Sequence, residues 1–180
     1  LPRKAIRPGD AVLAGGSVGC HGAAVLMARG EIPFAGELLS DCRPLHQLSA
    51  AALEAGGVRI LRDPTRGGVA TTLNEFVEGS ALTIELEEDA IPVDPAVAAA
   101  CDLLGLDPLY SACEGRMLAV VSPGQADAVL DALHQTSGGE HAAMIGRVTE
   151  SRPGHVVLRT ALGGSRILGK LTGVQLPRIC

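Results

Sequence analysis

The sequence predicts an α+β protein in which helices pack in layers on a mixed β-sheet. Segments with the apolar spacing of strands and of helices alternate along the chain, and turns rich in glycine and proline separate them. Residues 82–86 alternate strictly between apolar and polar side chains, as a half-buried strand does. A chain of 180 residues, 47 % of them hydrophobic, can bury a substantial core. We expect residues 1–170 to form the domain and residues 171–180 to be a mobile tail.

In the first half of the chain, apolar spacing locates two strands and three helices. They are a strand at 11–15, a helix at 23–29, a helix at 44–55, a strand at 58–61 and a helix from 69 to about 79. Two connections are unusual, namely the glycine-rich loop at 15–22 and the polar turn at 62–68. The loop joins a strand to a helix, an order that can present backbone N–H groups to an anion, or can be an ordinary tight connection.

In the second half, the first strand is the alternating segment 82–86. Asp94 followed by Pro95 predicts the start of a helix, because an acceptor side chain caps it and proline suits its first position. The remaining predicted elements are the helix continuing to Leu104, a strand at 116–121, a helix at 126–133, and strands at 142–148 and 155–160.

Composition excludes several classes of protein. The net charge of −5 provides no basic surface for nucleic acid. No apolar run reaches the roughly 20 residues that a membrane-spanning helix needs, and no secretory signal opens the chain. The first residue is Leu, which predicts a piece of a longer protein.

The five cysteines predict reduced thiols in a cytoplasmic protein. Their number is odd and they include no Cys-x-x-Cys pair, so we expect neither a metal site nor a disulfide framework. Cys101 lies on the apolar face of the 95–104 helix and is expected in the core. Cys42 precedes a helix and is expected to be partly buried.

The terminal Cys180 is the main candidate for covalent chemistry. A thiolate is a strong nucleophile, and a residue at a chain end can reach distant sites. Pro177 would stiffen the tail, and Arg178 could dock it on a carboxylate or phosphate. The alternative is that Cys180 is an accidental chain end without a role.

Three further features each allow two interpretations, and a fourth has one. Glu114, just before a predicted buried strand, is a general base if it is desolvated, or an ordinary solvated carboxylate. His21 is either a ligand-binding residue or a turn residue. The turn at 62–68 holds either a local ion pair or a place where its glycines let a ligand approach the backbone. Asp41 can cap the helix that begins near Pro44.

Together these motifs resemble the C-terminal domain of the HypE family, hydrogenase maturation proteins of the PurM-like ATP-dependent superfamily. The resemblance covers essentially the whole chain. It rests on Gly19-Cys20-His21-Gly22, Ser40-Asp41-Cys42, Arg62-Asp63-Pro64-Thr65-Arg66-Gly67-Gly68, Asn74-Glu75-Phe76, Ile91-Pro92-Val93, Leu104-Gly105-Leu106-Asp107-Pro108-Leu109, Glu114-Gly115, Ile145-Gly146 and Pro177-Arg178-Ile179-Cys180. The polar turn and the terminal motif are specific only in combination.

The resemblance implies a PurM-like C-terminal domain with a ferredoxin-like sheet, and a defined reaction. Cys180 would accept a carbamoyl group, ATP would phosphorylate the thiocarboxamide oxygen, and loss of phosphate would leave a thiocyanate for the cyanide ligands of nickel–iron hydrogenases. Implied partners are the carbamoyltransferase HypF and the HypC–HypD complex. ATP and Mg²⁺ would be bound mainly by an N-terminal domain that this chain lacks. The full-length protein would be a homodimer, and this chain alone would bind no cofactor and be inactive.

The resemblance also assigns residues. Glu114 matches the family's Glu-Gly position and is the expected base for the carboxamide nitrogen. The expected path of the tail and phosphate is lined by His21, Gly22, Arg66, Gly67 and Gly68. Cys20 and Cys113 depart from the family, which usually has Asp and Asn there. Two other functions stay open: a related kinase or synthetase for selenide, thiamine phosphate or a purine precursor, and a non-catalytic docking module for maturation proteins.

Overall fold

A computed structural model describes residues 5–30 and 38–172 of the chain. The strands are β1 (Ala11–Ala14), β2 (Val58–Arg62), β3 (Thr83–Glu87), β4 (Leu118–Val121), β5 (Ala143–Thr149), β6 (Val156–Arg159) and β7 (Ser165–Ile167). The α-helices are α1 (Cys20–Ala28), α2 (His46–Ala55), α3 (Gly68–Val77), α4 (Pro95–Leu104) and α5 (Ala126–His134). Single 3-10 turns lie at Glu88–Ala90, Pro108–Tyr110 and Pro123–Gln125.

The strands form a single seven-stranded sheet in the order β2-β4-β1-β5-β3-β6-β7. Neighbouring strands are antiparallel except β3 and β6, which are parallel. The interior strand β1 places Val12 opposite Val120 of β4 and Gly146 of β5. This mixed sheet with packed helices confirms the predicted α+β class.

Helices cover the sheet from both sides. Helix α3 buries Val69, Leu73 and Val77 against one face, in a core that includes Ile84 and Leu158 of the sheet. Helices α2 and α5 cover the opposite face of β1 and β4. The core is almost entirely aliphatic, which agrees with the low aromatic content of the sequence.

Helices α1 and α4 pack against each other in two small separate clusters. Asp94 caps the start of α4 as predicted, because its carboxylate accepts a hydrogen bond of 2.8 Å from the Ala96 amide. Gly105 ends the helix with a φ of 64°, a left-handed conformation that suits glycine. Cys101 is buried on the inner face, as its spacing predicts.

The structure differs from the sequence prediction at two elements. Helix α1 begins at Cys20 instead of residue 23, so His21 and Gly22 lie in its first turn and not in the preceding loop. Strand β7 was not predicted, because its three side chains are all exposed and carry no apolar alternation. Within the described residues, no helix combines the length and hydropathy needed to cross a bilayer.

Candidate functional site

Four chain segments meet at one end of the sheet, where β1 and β2 end and β4 begins. They are residues 15–22, 40–42, 64–68 and 109–116. The Gly15 amide donates to the carbonyl of Met117 at 2.8 Å, and the Cys113 amide donates to the carbonyl of Pro64 at 3.1 Å. Backbone hydrogen bonds therefore join parts of the chain that are far apart in sequence, and the side chains of Ser40 and Asp41 join segment 40–42 to them.

His21 and Gly22 lie on the side of the site formed by α1. The His21 ring nitrogen Nδ1 is 2.8 Å from the Ser40 hydroxyl oxygen. The Gly22 amide donates to the carbonyl of Ala112 at 3.1 Å. The backbone of Gly22 therefore helps to hold α1 against the segment that contains Ala112. The half-buried ring of His21 is oriented by the Ser40 hydroxyl.

Several backbone amides of the glycine-rich loop already donate hydrogen bonds to other parts of the protein. The Gly19 amide donates to Sγ of Cys113 at 3.1 Å, and the Val18 amide donates to the carbonyl of Pro92 at 2.9 Å. The amides of Cys20 and His21 have no backbone acceptor among the described residues. Only this short part of the helix N-terminus is therefore available to an anion.

Glu114 is half-buried at the point where the chain approaches β4. Its amide donates a hydrogen bond of 3.0 Å to Oδ1 of Asp41. The next residue packs closely on the same segment, since a Cβ at Gly115 would come within 1.7 Å of the Asp41 carbonyl oxygen. The backbone of Glu114 is therefore fixed, whereas its carboxylate has no hydrogen-bond partner among the described residues.

Asp41 does not have the role that its position suggested. Helix α2 begins at His46 without a side-chain cap, so the expected capping by Asp41 is wrong. The Asp41 side chain is instead 1 % exposed, with Oδ2 3.7 Å from Nε of Arg116. Sequence reasoning missed Arg116 as a site residue, because a contact between residues 75 positions apart leaves no local pattern.

The thiols of Cys20 and Cys113 lie beside this pair. Burial raises the pKa of Cys113 to about 12, and the nearby Asp41 carboxylate adds to the effect. Burial, and then Asp41, also raise the pKa of Cys20, although the guanidinium of Arg116 opposes them. Both thiols are therefore held in the protonated form at neutral pH.

The end of the turn at 62–68 packs closely against the 109–111 segment. A Cβ at Gly68 would lie 2.5 Å from the Leu109 carbonyl oxygen, so only glycine lets α3 approach the 109–111 segment this closely. Gly67 is also buried, while Arg66 is exposed. Arg62 donates to the carboxylate of Glu75, which lies on α3 and outside the turn, so this ion pair differs from the one within the turn that the sequence allowed.

The last described residues run along α3 toward its N-terminal end. Nδ2 of Asn74 donates to the carbonyl of Leu168 at 2.7 Å. The Leu171 amide then donates to the Thr71 hydroxyl at 3.2 Å, one helical turn closer to Gly68. The predicted tail residues Pro177, Arg178 and Cys180 lie outside the described residues.

The described residues do not fit a metal site. Among them, no three His, Cys, Asp or Glu side chains are grouped so that they could hold a metal ion. A surface groove between β3 and the β6–β7 hairpin is lined by polar residues including Glu85, Arg159 and Thr160, and contains none of the predicted site residues.

Known proteins resemble this chain along its whole length. Residues 7–159 match the AIR synthase related protein, C-terminal domain family. The carbamoyl dehydratase HypE of Rhizobium leguminosarum bv. viciae is 50 % identical over 182 residues, covering 100 % of this chain and 52 % of the relative. The chain thus spans about half the length of the curated relatives it matches.

Solved structures give the same relationship. A crystal structure of the hydrogenase maturation protein HypE in complex with ATP superposes with a TM-score of 0.91 at 44 % identity, covering 99 % of this chain and 55 % of that one. A HypE–HypF complex superposes with a TM-score of 0.89 at 38 % identity, covering 94 % and 55 %. The chain belongs to the HypE family of hydrogenase maturation proteins, within the AIR synthase related C-terminal domain fold.

Proposed function

We propose that this chain is the carrier and catalytic half of an ATP-dependent carbamoyl dehydratase. Cys180 carries the carbamoyl group, and the complete protein converts it to a thiocyanate that supplies cyanide ligands to nickel–iron hydrogenases. The relative from Rhizobium leguminosarum bv. viciae is named a carbamoyl dehydratase. Because this chain matches about half of that relative, the activity is assigned to the complete protein.

The proposed reaction has two chemical steps after Cys180 is carbamoylated. The thiocarboxamide oxygen attacks the γ-phosphorus of ATP, ADP leaves, and a nitrogen proton is released. The second nitrogen proton is then removed, the nitrogen lone pair forms the C≡N bond, and the C–O bond breaks to release phosphate. The net change on the cysteine is the loss of one water from the carboxamide.

Glu114 is the candidate base for the nitrogen protons. Its backbone is fixed by Asp41 and Gly115, while its carboxylate has no hydrogen-bond partner among the described residues. A base needs both features, since it must be held in place and still have a free lone pair to accept the proton. His21, oriented by Ser40 on the facing segment, is the candidate to contact the carboxamide or the phosphate.

The course of residues 168–171 is the observation that carries this proposal. Residues 168–171 follow α3 toward Gly68, and Gly68 packs on the segment that leads to Glu114. Cys180 is nine positions beyond Leu171, and an extended chain of that length spans up to about 30 Å. Tyr110, whose hydroxyl binds the carbonyl of Gly169, is only four residues from Glu114, or at most about 14 Å of extended chain.

The other predicted residues have roles along this route. Gly67 and Gly68 allow α3 to lie against the 109–111 segment, and the exposed guanidinium of Arg66 can attract the phosphate or the terminal carboxylate. Gly22 keeps α1 close to Ala112. Pro177 and Arg178 would stiffen the tail and dock it between carbamoylation and dehydration.

Partners and cofactors form part of the same proposal. The HypE–HypF complex supports a carbamoyltransferase of the HypF type as the donor. The HypC–HypD complex would receive the cyanide group, in the cytoplasm, from a homodimer of the complete protein. A HypE structure with bound ATP supports ATP as the phosphate donor. As the family resemblance implies, Mg²⁺ would be bound mainly by the N-terminal half of the complete protein.

Intact-mass spectrometry of the complete protein tests this function. The protein is incubated with its carbamoyltransferase, carbamoyl phosphate and ATP. The mass should first increase by one carbamoyl group and then decrease by one water. Cys180→Ser should abolish both changes, whereas Cys42→Ser, which removes an exposed cysteine, should leave both intact. A stable carbamoyl adduct in the presence of ATP would contradict the dehydratase assignment.

A further inference from the structure

Asp41 is a buried carboxylate whose two oxygens face different groups. Oδ1 accepts the Glu114 amide at 3.0 Å, while Oδ2 lies 3.7 Å from Nε of Arg116 and has no hydrogen-bond partner among the described residues. Burying a charged carboxylate is costly unless nearby groups compensate it. The Glu114 amide needs only an acceptor, which a neutral side chain could also provide. The negative charge of Asp41 is balanced by the guanidinium of Arg116.

Arg116 extends this contact to the glycine-rich loop. Its Nε donates to the Ser17 carbonyl at 3.0 Å, and its Nη1 donates to the Gly138 carbonyl at 3.2 Å. Its side chain lies against Gly16, where a Cβ would come within 3.2 Å of the guanidinium. Asp41 and Arg116 together therefore connect the backbone of Glu114 to the loop that precedes α1.

The neighbours of Asp41 contact the opposite side of the site. Ser40 places its hydroxyl oxygen 2.8 Å from Nδ1 of His21 and accepts a hydrogen bond of 3.1 Å from the Cys42 amide. The three residues 40–42 thus lie between His21 and Glu114. A displacement of Asp41 would change the distance between the two candidate site residues.

We propose that Asp41 is the positioning residue of this site: through the Glu114 amide and the Arg116 guanidinium it fixes Glu114 relative to His21. The inference rests on the proposed function. Asp41 does not contact the substrate, because its side chain is 1 % exposed. It acts through Glu114 by holding the backbone from which the base projects.

Single-turnover dehydration in the complete protein measures this role. After carbamoylation of Cys180, Asp41→Ala should slow the loss of water by roughly 10- to 100-fold, because a small displacement of a catalytic group is costly. The rate of carbamoylation should not change. Asp41→Asn keeps an acceptor for the Glu114 amide and should recover most of the rate. An asparagine variant as slow as the alanine variant would overturn the route through the amide.

A double variant separates positioning from a general loss of structure. If Asp41 acts through Glu114, then Asp41→Ala should cost no further rate in a Glu114→Gln background. The same fold-loss in both backgrounds would overturn the proposal. Asp41→Ser, whose side chain is too short for the Glu114 contact, replaces the alanine variant if that variant does not fold.

Asp10 provides a matched control at the opposite end of β1. It is also a buried aspartate, accepting the Arg7 amide at 2.8 Å and pairing with Arg59 at 3.3 Å. Asp10→Ala should lower folding stability without changing the dehydration rate, and a rate loss equal to that of Asp41→Ala would overturn the proposal. A wild-type protein that loses no water contradicts the proposed function itself, whereas normal dehydration in both Asp41 variants overturns only this inference.

Discussion

The Tyr110 hydroxyl donates a hydrogen bond of 3.0 Å to the Gly169 carbonyl oxygen, and so joins the last described segment to the turn that leads toward Glu114. The segment is held a second time two residues later, where the Leu171 amide binds the Thr71 hydroxyl. These two contacts fix the backbone at Gly169 and Leu171. They also make this segment sensitive to changes in Tyr110, which is remote from it in sequence.

Tyr110→Phe should loosen the segment around Gly169 and Leu171 without disturbing the ring packing. Loss of one net hydrogen bond should raise the hydrogen-exchange rate of the Leu171 amide by roughly threefold to tenfold. Exchange measured by mass spectrometry or NMR checks this. Thr136→Ala, which removes a hydroxyl bonded to Ala132 at the end of α5, should leave the Leu171 amide unaffected. An unchanged Leu171 amide in Tyr110→Phe would contradict the anchoring role.

Gly68→Ala should destabilise the protein more than Gly79→Ala. Both glycines have left-handed φ values, 60° and 68°, so alanine is strained at each by about 1–2 kcal/mol. At Gly68 the new Cβ would also lie 2.5 Å from a backbone oxygen, whereas at Gly79 nothing lies within 4 Å. Urea unfolding of the two variants measures the difference. Equal losses would show that the close approach of α3 to residues 109–111 does not contribute.

Most helices and strands could be predicted because the spacing of apolar residues that marks each one lies within a short stretch of sequence. Helix α4 and strand β3 are examples, where a capping Asp94 and a strict alternation mark the boundaries. The parallel pairing of β3 with β6 was not predictable in the same way. Strand partners are chosen by the packing of distant segments, and local periodicity carries no information about them.

The candidate site was predicted only in part, for the same reason. The motifs predicted His21 and Glu114 as candidate site residues, and the structure adds their contacts with Ser40 and Asp41, which the sequence did not indicate. The bond between Asp41 and the Glu114 amide joins residues 73 positions apart. Such a contact follows from the assembled fold, so no spacing rule in the sequence could indicate it.

Acid should remove the stabilisation that Glu85 provides. The Ser151 hydroxyl, and then the Arg159 guanidinium, hold the pKa of Glu85 below its usual value through hydrogen bonds of 2.6 and 2.8 Å. Because the folded pKa is the lower one, the stabilisation is complete above the unfolded value of about 4.3 and is lost as the pH falls through the folded value.

Glu85→Gln should therefore lower stability by roughly 1 kcal/mol near pH 7, with the difference from wild type shrinking in acid. Urea unfolding at a series of pH values measures both quantities. Glu150→Gln changes an exposed carboxylate nearby and should match wild type near pH 7. A difference that stays constant down to the lowest pH would contradict the charge-based explanation.

Glu114→Gln should separate the two halves of the proposed reaction. In the complete protein, carbamoylation of Cys180 should be unchanged, because it needs only an accessible thiolate. Dehydration should slow by roughly 10²- to 10⁴-fold, because an amide keeps the shape of the side chain but cannot accept the proton. The accumulated carbamoyl adduct is measured by intact mass. Cyanide formation at the wild-type rate would exclude Glu114 as the base.

Alkylation of the native protein should rank the five cysteines by access and pKa. Cys42 is exposed, contrary to the expected partial burial, whereas Cys101 and Cys113 are buried. Burial raises the pKa of Cys101 to about 11 and that of Cys113 to about 12, so both have very little thiolate at neutral pH. Cys20 is half-buried with a raised pKa and should be intermediate.

We expect Cys180 to react first, followed by Cys42, since the carrier role requires the terminal sulfur to reach a partner's active site. Limited iodoacetamide labelling with peptide mapping measures the order, and labelling in urea should make all five cysteines comparable. If Cys20 or Cys113 is labelled well before Cys180, the terminal sulfur is buried in the native protein and cannot be the freely moving carrier that the proposed reaction requires.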